Sequence, residues 1–299
     1  MPLTSAVADD ATISDIHALT LTGPIDAGTD LSGVVVVGDY LVLGADEGHR
    51  IQVLSRCDTP SCWSLERSGA LAKQDQETDI EAITYADGFL YVAGSHSARR
   101  RLVRDDLSAR RNRDRLLDVR QDESRNRIYR VPFDSQSGKL GRATSIDLSK
   151  RLRKDPLLHL FYGVPSKENG IDIEGLAYRD GRLAIGFRGP VLRDNFVPVM
   201  SLDFDRPKKY RLNFVRLAGQ GIRDLVAVSN GYLVLSGPVN DAPGPYRLWW
   251  WDGIDQVPGK DREVVDAVVL GDVSTAGGAK AEGLALVDEG DDLADVIVI

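Results

Sequence analysis

Residues 172–190 read DIEGLAYRDGRLAIGFRGP, and the fold follows from how often this pattern returns. Two apolar stretches flank the turn at Asp180 and Gly181, the mark of a two-strand hairpin. The same hairpin is written as DLSGVVVVGDYLVLGADE from Asp30, DIEAITYADGFLYVAGSH from Asp79 and GIRDLVAVSNGYLVLSGP from Gly221, without gaps in the alignment. A shorter copy, KAEGLALVDEGDDLADVIVI, runs from Lys280 to Ile299. After each full hairpin a third strand is predicted, in RIQVLSR, RIYRVPFD, PVMSLDFD and YRLWWWD. A fourth usually follows, as in WSLERSGA, RATSIDLS, YRLNFVRLA and EVVDAVVLG. One repeat is therefore a four-strand antiparallel meander.

A lone meander cannot bury both faces, whereas copies packed radially can, so a period of roughly 45 to 60 residues predicts an all-β propeller. Residues 1–299 are read as one domain of five blades, six being the alternative count. The alternating N-terminal stretch TISDIHALTLTG is expected to give a strand to the last blade and close the ring, which would remove two open sheet edges. Residues 98–127 lack strand alternation and form an Arg-rich insertion within the second blade, with a short amphipathic helix in its middle. It reads as a solvated lid; gripping a phosphorylated ligand or anionic polymer is the alternative. A shorter insertion, RKDPLLHLFYGVPSKENG, brings Leu157, Leu158, Leu160, Phe161 and Tyr162, which are expected to pack.

The chain has 299 residues with 37 Lys and Arg against 45 Asp and Glu, a net charge of −8 that argues against a nucleic-acid partner. No apolar run approaches the roughly 18 residues of a membrane helix, and the start lacks the parts of a signal peptide. A soluble monomer without membrane attachment is expected, in the cytoplasm. Cys57 and Cys62 flank DTPS, a loop that a disulfide could close and that could equally stay reduced; without matching histidines they make no zinc site. Trp249, Trp250 and Trp251 read as packing between blades.

In a propeller the innermost strands line a central channel, so equivalent positions meet in a ring. Here that position holds Ser32, Glu81, Glu174, Arg223 and Glu282. Asp79 and Asp172, two residues before their glutamates, point to the same side of the strand. Carboxylates this close resist joint ionisation unless a cation or arginine offsets them. Glu81, Glu174 and Glu282 are thus candidate ligands for calcium or another divalent cation. Arg188, Arg223, Asp224 and Asp46 are candidates for binding a small anionic ligand, with Glu81, Glu174 and His96 as candidate catalytic groups. A closed salt-bridge network that binds nothing is the competing reading.

The set DIEGLAYRDGRLAIGFRGP, GSHS, GIRD followed by YLVLSGP, and the late EGLALV resembles a bacterial β-propeller family known as domain of unknown function 3616. The resemblance covers nearly the whole chain from about Asp30 and implies the fold. More distantly, the EGLA openings resemble those of esterase-like phytases, and the channel acids are similar to those of gluconolactonase-type propellers, where a divalent metal serves hydrolysis. This chain departs from them in placing Arg223 in the ring and in lacking a set of metal-binding asparagines. The functional expectation is ligand binding at the channel mouth, extending to metal-dependent hydrolysis of a phosphoester or lactone. The alternative is a noncatalytic binding propeller with a structural Glu/Arg ring and a protein partner.

Overall fold

A computed structural model describes residues 13, 16–26, 30–59, 61–73, 77–275, 279–290 and 293–299. Each predicted hairpin forms, and the first four extend outward into small sheets built on an antiparallel meander. The first contains Leu31–Val37, Tyr40–Ala45, Arg50–Arg56 and Cys62–Ala70 in that spatial order. The second runs Ile80–Ala86, Phe89–Gly94, Ile128–Asp134, with the short Lys139–Leu140 and Thr144–Ile146 both pairing to the last. The third runs Asp172–Arg179, Arg182–Gly189, Phe196–Leu202, Tyr210–Arg216, and the fourth Gly221–Val228, Gly231–Gly237, Tyr246–Trp251, Val268–Val273. The final repeat gives the two strands Leu284–Glu289 and Ala294–Val298.

The sheets pack in a propeller-like arrangement, and the apolar residues fall into clusters between successive sheets. Ile51 and Val53 meet Ile83 and Val92; Ala82 and Ala93 meet Leu176 and Leu183; Ala177 and Val199 meet Leu225 and Val234. Leu235 and Leu248 meet Leu284, and Leu43 and Leu54 meet Ala285 and Ile297. The inner strand Leu284–Glu289 touches both Gly221–Val228 and Leu31–Val37. Tight approach depends on small residues at the hairpin centre. Gly175 and Gly186 face each other across the third hairpin, and a Cβ on either would lie 2.5 Å from Leu225 Cδ2.

The three tryptophans pack as predicted, and period two explains how. Trp249 and Trp251 lie in the cluster shared with the third sheet, while Trp250 points the other way toward the final one. Each indole N–H is satisfied, by Ser236 Oγ at 2.7 Å, Asn230 Oδ1 at 2.9 Å and the Ile254 carbonyl at 2.9 Å. Leu158 is buried and Leu157, Phe161 and Tyr162 pack against the same cluster, but Leu160 is left in solvent.

Two expectations are corrected. The described N-terminal strand, Thr20–Thr22, pairs in parallel with Cys62–Ala70 of the first sheet, not with the final one. Leu19, Leu21 and Ile25 cover the first sheet's apolar outer end, and that burial decides its place; most of residues 11–15 lies outside the described set. The fourth strand RATSIDLS shrinks to Thr144–Ile146 because Ser149–Leu152 turns helical and buries Leu152. Cys57 and Cys62 form a disulfide across their loop. Among the described residues no helix is long and apolar enough to cross a membrane.

Candidate functional site

The ring position coincides with a backbone irregularity. Pairing skips one residue between Leu31 and Gly33, Ile80 and Ala82, Ile173 and Gly175, and Ile222 and Asp224. The skipped residues are Ser32, Glu81, Glu174 and Arg223. A bulge frees a residue from the ladder and re-aims its side chain. Four successive inner strands therefore spend their bulges on the predicted ring.

Glu174 sits at its centre, 4% exposed. Arg188 Nη1 donates to Oε1 at 2.6 Å and Arg223 Nη1 pairs with Oε2 at 2.9 Å. Arg223 Nη2 also donates to Glu282, whose other cation is Lys280 at 3.9 Å. Arg188 Nε and Nη2 donate to the Pro238 and Asn240 carbonyls, and Nη1 also lies 3.5 Å from Asp172. The two arginines hold the Glu174 carboxyl below its usual range against the opposing effect of burial. Asp172 is driven well upward, chiefly by burial and then by Glu174.

Asp224 points sideways from Arg223 and performs a different task. Its Oδ1 accepts from Leu225 N at 2.8 Å and Leu176 N at 3.4 Å, and its Oδ2 from Leu284 N at 2.8 Å. One buried carboxylate thus ties three consecutive inner strands. The sequence reading placed it in a ligand site; the structure gives its oxygens to backbone N–H groups.

Glu81 makes no hydrogen bond or ion pair with any other described residue. Burial, then Asp79, Glu174, Asp172 and Glu282, push its carboxyl well above the usual range. Asp46 approaches the same acidic half from the end of the first hairpin and is pushed up to about 6 by burial and by Asp79, Glu282 and Asp30. A carboxyl whose pKa is higher in the fold than in the unfolded chain contributes stability below the unfolded value and loses it as pH rises through the folded one. Asp46→Asn is therefore expected to match the wild type at pH 4 and to exceed it at pH 7.5 by about 1 kcal/mol, discounted for solvent screening. Chemical denaturation at both pH values checks this, and a variant no more stable at pH 7.5 contradicts it.

Asp79 draws on a residue that sequence reasoning left in the insertion. Arg125, 7% exposed, places Nη1 2.8 Å from Asp79 Oδ2 and Nη2 on Glu77. Burial nevertheless leaves Asp79 at about 6. Gly94, first residue of the GSHS motif, admits this segment: a Cβ there would lie 2.5 Å from the Arg125 carbonyl. Ser95 donates to Asp79 and lies 2.9 Å from Ser97 Oγ. The only available signal for Arg125 was the need of Asp79 for a cation, and eleven arginines competed for that role.

His96 joins no ring carboxylate among the described contacts. Its backbone N–H donates to Arg125 O, and its Nδ1 donates to the Gly94 carbonyl at 2.9 Å, leaving Nε2 buried without a partner among the described residues. Burial lowers its pKa to about 4, so the imidazole is neutral at pH 7. Glu174 and Glu282, proposed with Glu81 as metal ligands, are spanned by Arg223. No three carboxylates, imidazoles or thiolates among the described residues converge as a metal-ligand set.

Small antiparallel sheets set radially about bulge-borne charges define a protein of the β-propeller class. The chain belongs to the family described as "Protein of unknown function (DUF3616)", whose profile matches residues 30–299. No curated protein matches it significantly. Among solved structures it is similar to the WD40 β-propeller domain of Doa1, at 15% identity and a TM-score of 0.35 over 87% of this chain. It spans 60% of that chain's length. It is also similar to the computationally designed Ika4 protein, at 13% identity and a TM-score of 0.32, over 79% of this chain and 99% of that one. An exo-β-1,3-galactanase from Phanerochaete chrysosporium is 11% identical with a TM-score of 0.41, over 78% of this chain and 49% of its own.

Proposed function

We propose that the chain is a five-bladed, noncatalytic binding propeller whose Asp/Glu/Arg ring braces the inner strands. The observation that carries this reading is Glu174 gripped from two sides by Arg188 and Arg223. The outward ends of both guanidinium forks are occupied by the protein's own carboxylates and carbonyls. The one Arg223 donor nitrogen left over among the described residues, Nε, is itself buried, which disfavours an outside anion at these arginines. The fifth blade is the sheet Leu284–Glu289 with Ala294–Val298, whose inner strand touches the first and fourth inner strands and so completes the circle. Binding then falls to the outer loops and insertions.

A second reading rests on Glu81, the ring carboxylate left without a partner among the described residues. Together with the half-buried Asp46 it would attract a divalent cation, with calcium favoured by the all-oxygen surroundings. Only on that reading does metal-dependent hydrolysis of a phosphoester or lactone follow.

One thermal-shift titration of EDTA-treated protein separates the two. Calcium, magnesium, manganese and zinc are each added with and without phosphate, since a ligand of the folded state raises its stability, by about 2.7 kcal/mol at a hundred times Kd. The brace predicts no shift with phosphate. A saturable phosphate shift lost in Arg188→Lys overturns it, and a cation shift lost in Glu81→Gln establishes the second reading.

A further inference from the structure

We propose that the Arg-rich arm is a self-association element that grips the acidic outer rim of the fourth sheet on a second copy of the chain. The proposal goes beyond the reading of the channel and does not depend on it.

The arm leaves the second sheet as a hairpin, Ala98–Arg100 paired with Val119–Gln121, which carries the helix Ala109–Leu117. Ser108 caps the helix through Arg111 N, yet the helix has no buried residue. Nine residues give too few hydrogen bonds to hold a helix in water without a packed face. Instead of a packed face the arm offers solvent Leu117 at 82% exposure, Leu102 at 73% and Val103 at 51%. Residues 98–127 contain eleven arginines, no lysine and six acids, a local charge of +5 in a chain of −8, leaving −13 elsewhere. Arg104 pairs with Asp106 and Arg120 with Asp118. Arg110, Arg111 and Arg113 have no side-chain partner among the described residues. Beside them lies a hollow of about 600 Å³ lined by Arg101, Arg104, Arg111 and Arg115 together with Asp114 and Asp118.

The complement lies on residues 252–272, which hold six acids against Lys260 and Arg262; Asp255 pairs with Arg262, and Asp266 and Asp272 pair with Arg216 and Arg247 from neighbouring strands. There Ile254 is 63% exposed, Val265 51% and Val269 46%, and Asp261 and Glu263 have no side-chain ion pair among the described residues. One surface is basic with aliphatic side chains in water, the other acidic with the same. Arginine without lysine suits a carboxylate partner, because its fork binds such groups bidentately. A nucleic acid or anionic bilayer offers phosphates instead, and would meet both the arm's own six acids and the −13 of the remaining chain. Arm and rim spring from the second and fourth sheets, between which the third intervenes, so a second copy supplies what one chain cannot. Reciprocal docking gives a closed two-fold dimer with two identical seats.

Sedimentation velocity on the full chain, at low and high salt, tests this. Concentration-dependent dimers that weaken as salt screens the charges are expected. Arg110→Glu with Arg113→Glu should weaken association by about tenfold or more, as should Asp261→Arg with Glu263→Arg, all at exposed positions. Mixing the arm variant with the rim variant restores both seats and should restore the dimer. A monomer throughout, association indifferent to either reversal, or no rescue on mixing overturns the proposal. So does an arm whose reversal abolishes only binding to phosphatidylserine vesicles.

Discussion

Glu174→Gln is expected to lower the free energy of unfolding by about 3–5 kcal/mol at pH 7, the cost of removing one partner from a buried ion pair. For a chain of this size the melting temperature should fall by roughly 5–8 °C. The loss arises because the guanidiniums of Arg188 and Arg223 remain buried, at 6% and 2% exposure, with Asp172 and Glu282 as their remaining acids. Since the fold depresses the Glu174 pKa, its contribution is complete above the unfolded value and fades as pH falls through the folded one. Wild type and variant should accordingly converge in acid. Arg223→Met in the Glu174→Gln background should cost less than in the wild type, since the pair is already broken. An unchanged melting temperature at pH 7 would remove the brace from the account of this protein.

Asp224→Ala should cost a comparable amount by a different mechanism. It strips acceptors from three buried N–H groups, those of Leu225, Leu284 and, at a weaker 3.4 Å, Leu176. At about 1–3 kcal/mol for each unsatisfied donor, a loss of roughly 3–6 kcal/mol follows. The damage should be uneven. Among the described residues the final sheet has two strands, so its inner strand relies more than the others on the tie from Asp224 to Leu284. Amide exchange in Leu284–Glu289 should accelerate before that in Leu31–Val37. Asp224→Asn keeps one acceptor oxygen and should fall between alanine and wild type. Uniform acceleration across all inner strands would mean that Asp224 is merely buried and not a tie.

The hairpins and the ring were legible in the sequence for one reason: a repeat places equivalent residues at equivalent positions, so five openings suffice to name Ser32, Glu81, Glu174, Arg223 and Glu282 as neighbours. The sequence also placed Trp249, Trp250 and Trp251 between blades, and the structure divides them between the two faces of their strand. Thr20–Thr22 was misplaced because alternation specifies a strand without specifying its edge. Where that strand docks depends on which sheet end leaves apolar surface uncovered, and the first sheet won through Leu21 and Ile25.

The division of labour inside the ring was decided by tertiary structure alone. Sequence spacing determined which carboxylates share the mouth, but ion pairing depends on distances of a few ångströms set by how neighbouring sheets pack. Packing brought Arg188 and Arg223 to opposite oxygens of Glu174, folded Arg125 back from an insertion onto Asp79, and turned Asp224 toward three backbone donors. Glu81 received no counterpart among the described residues. The repeat thus determined where the charges gather, while packing, which has no repeat in charge, determined which of them are spent.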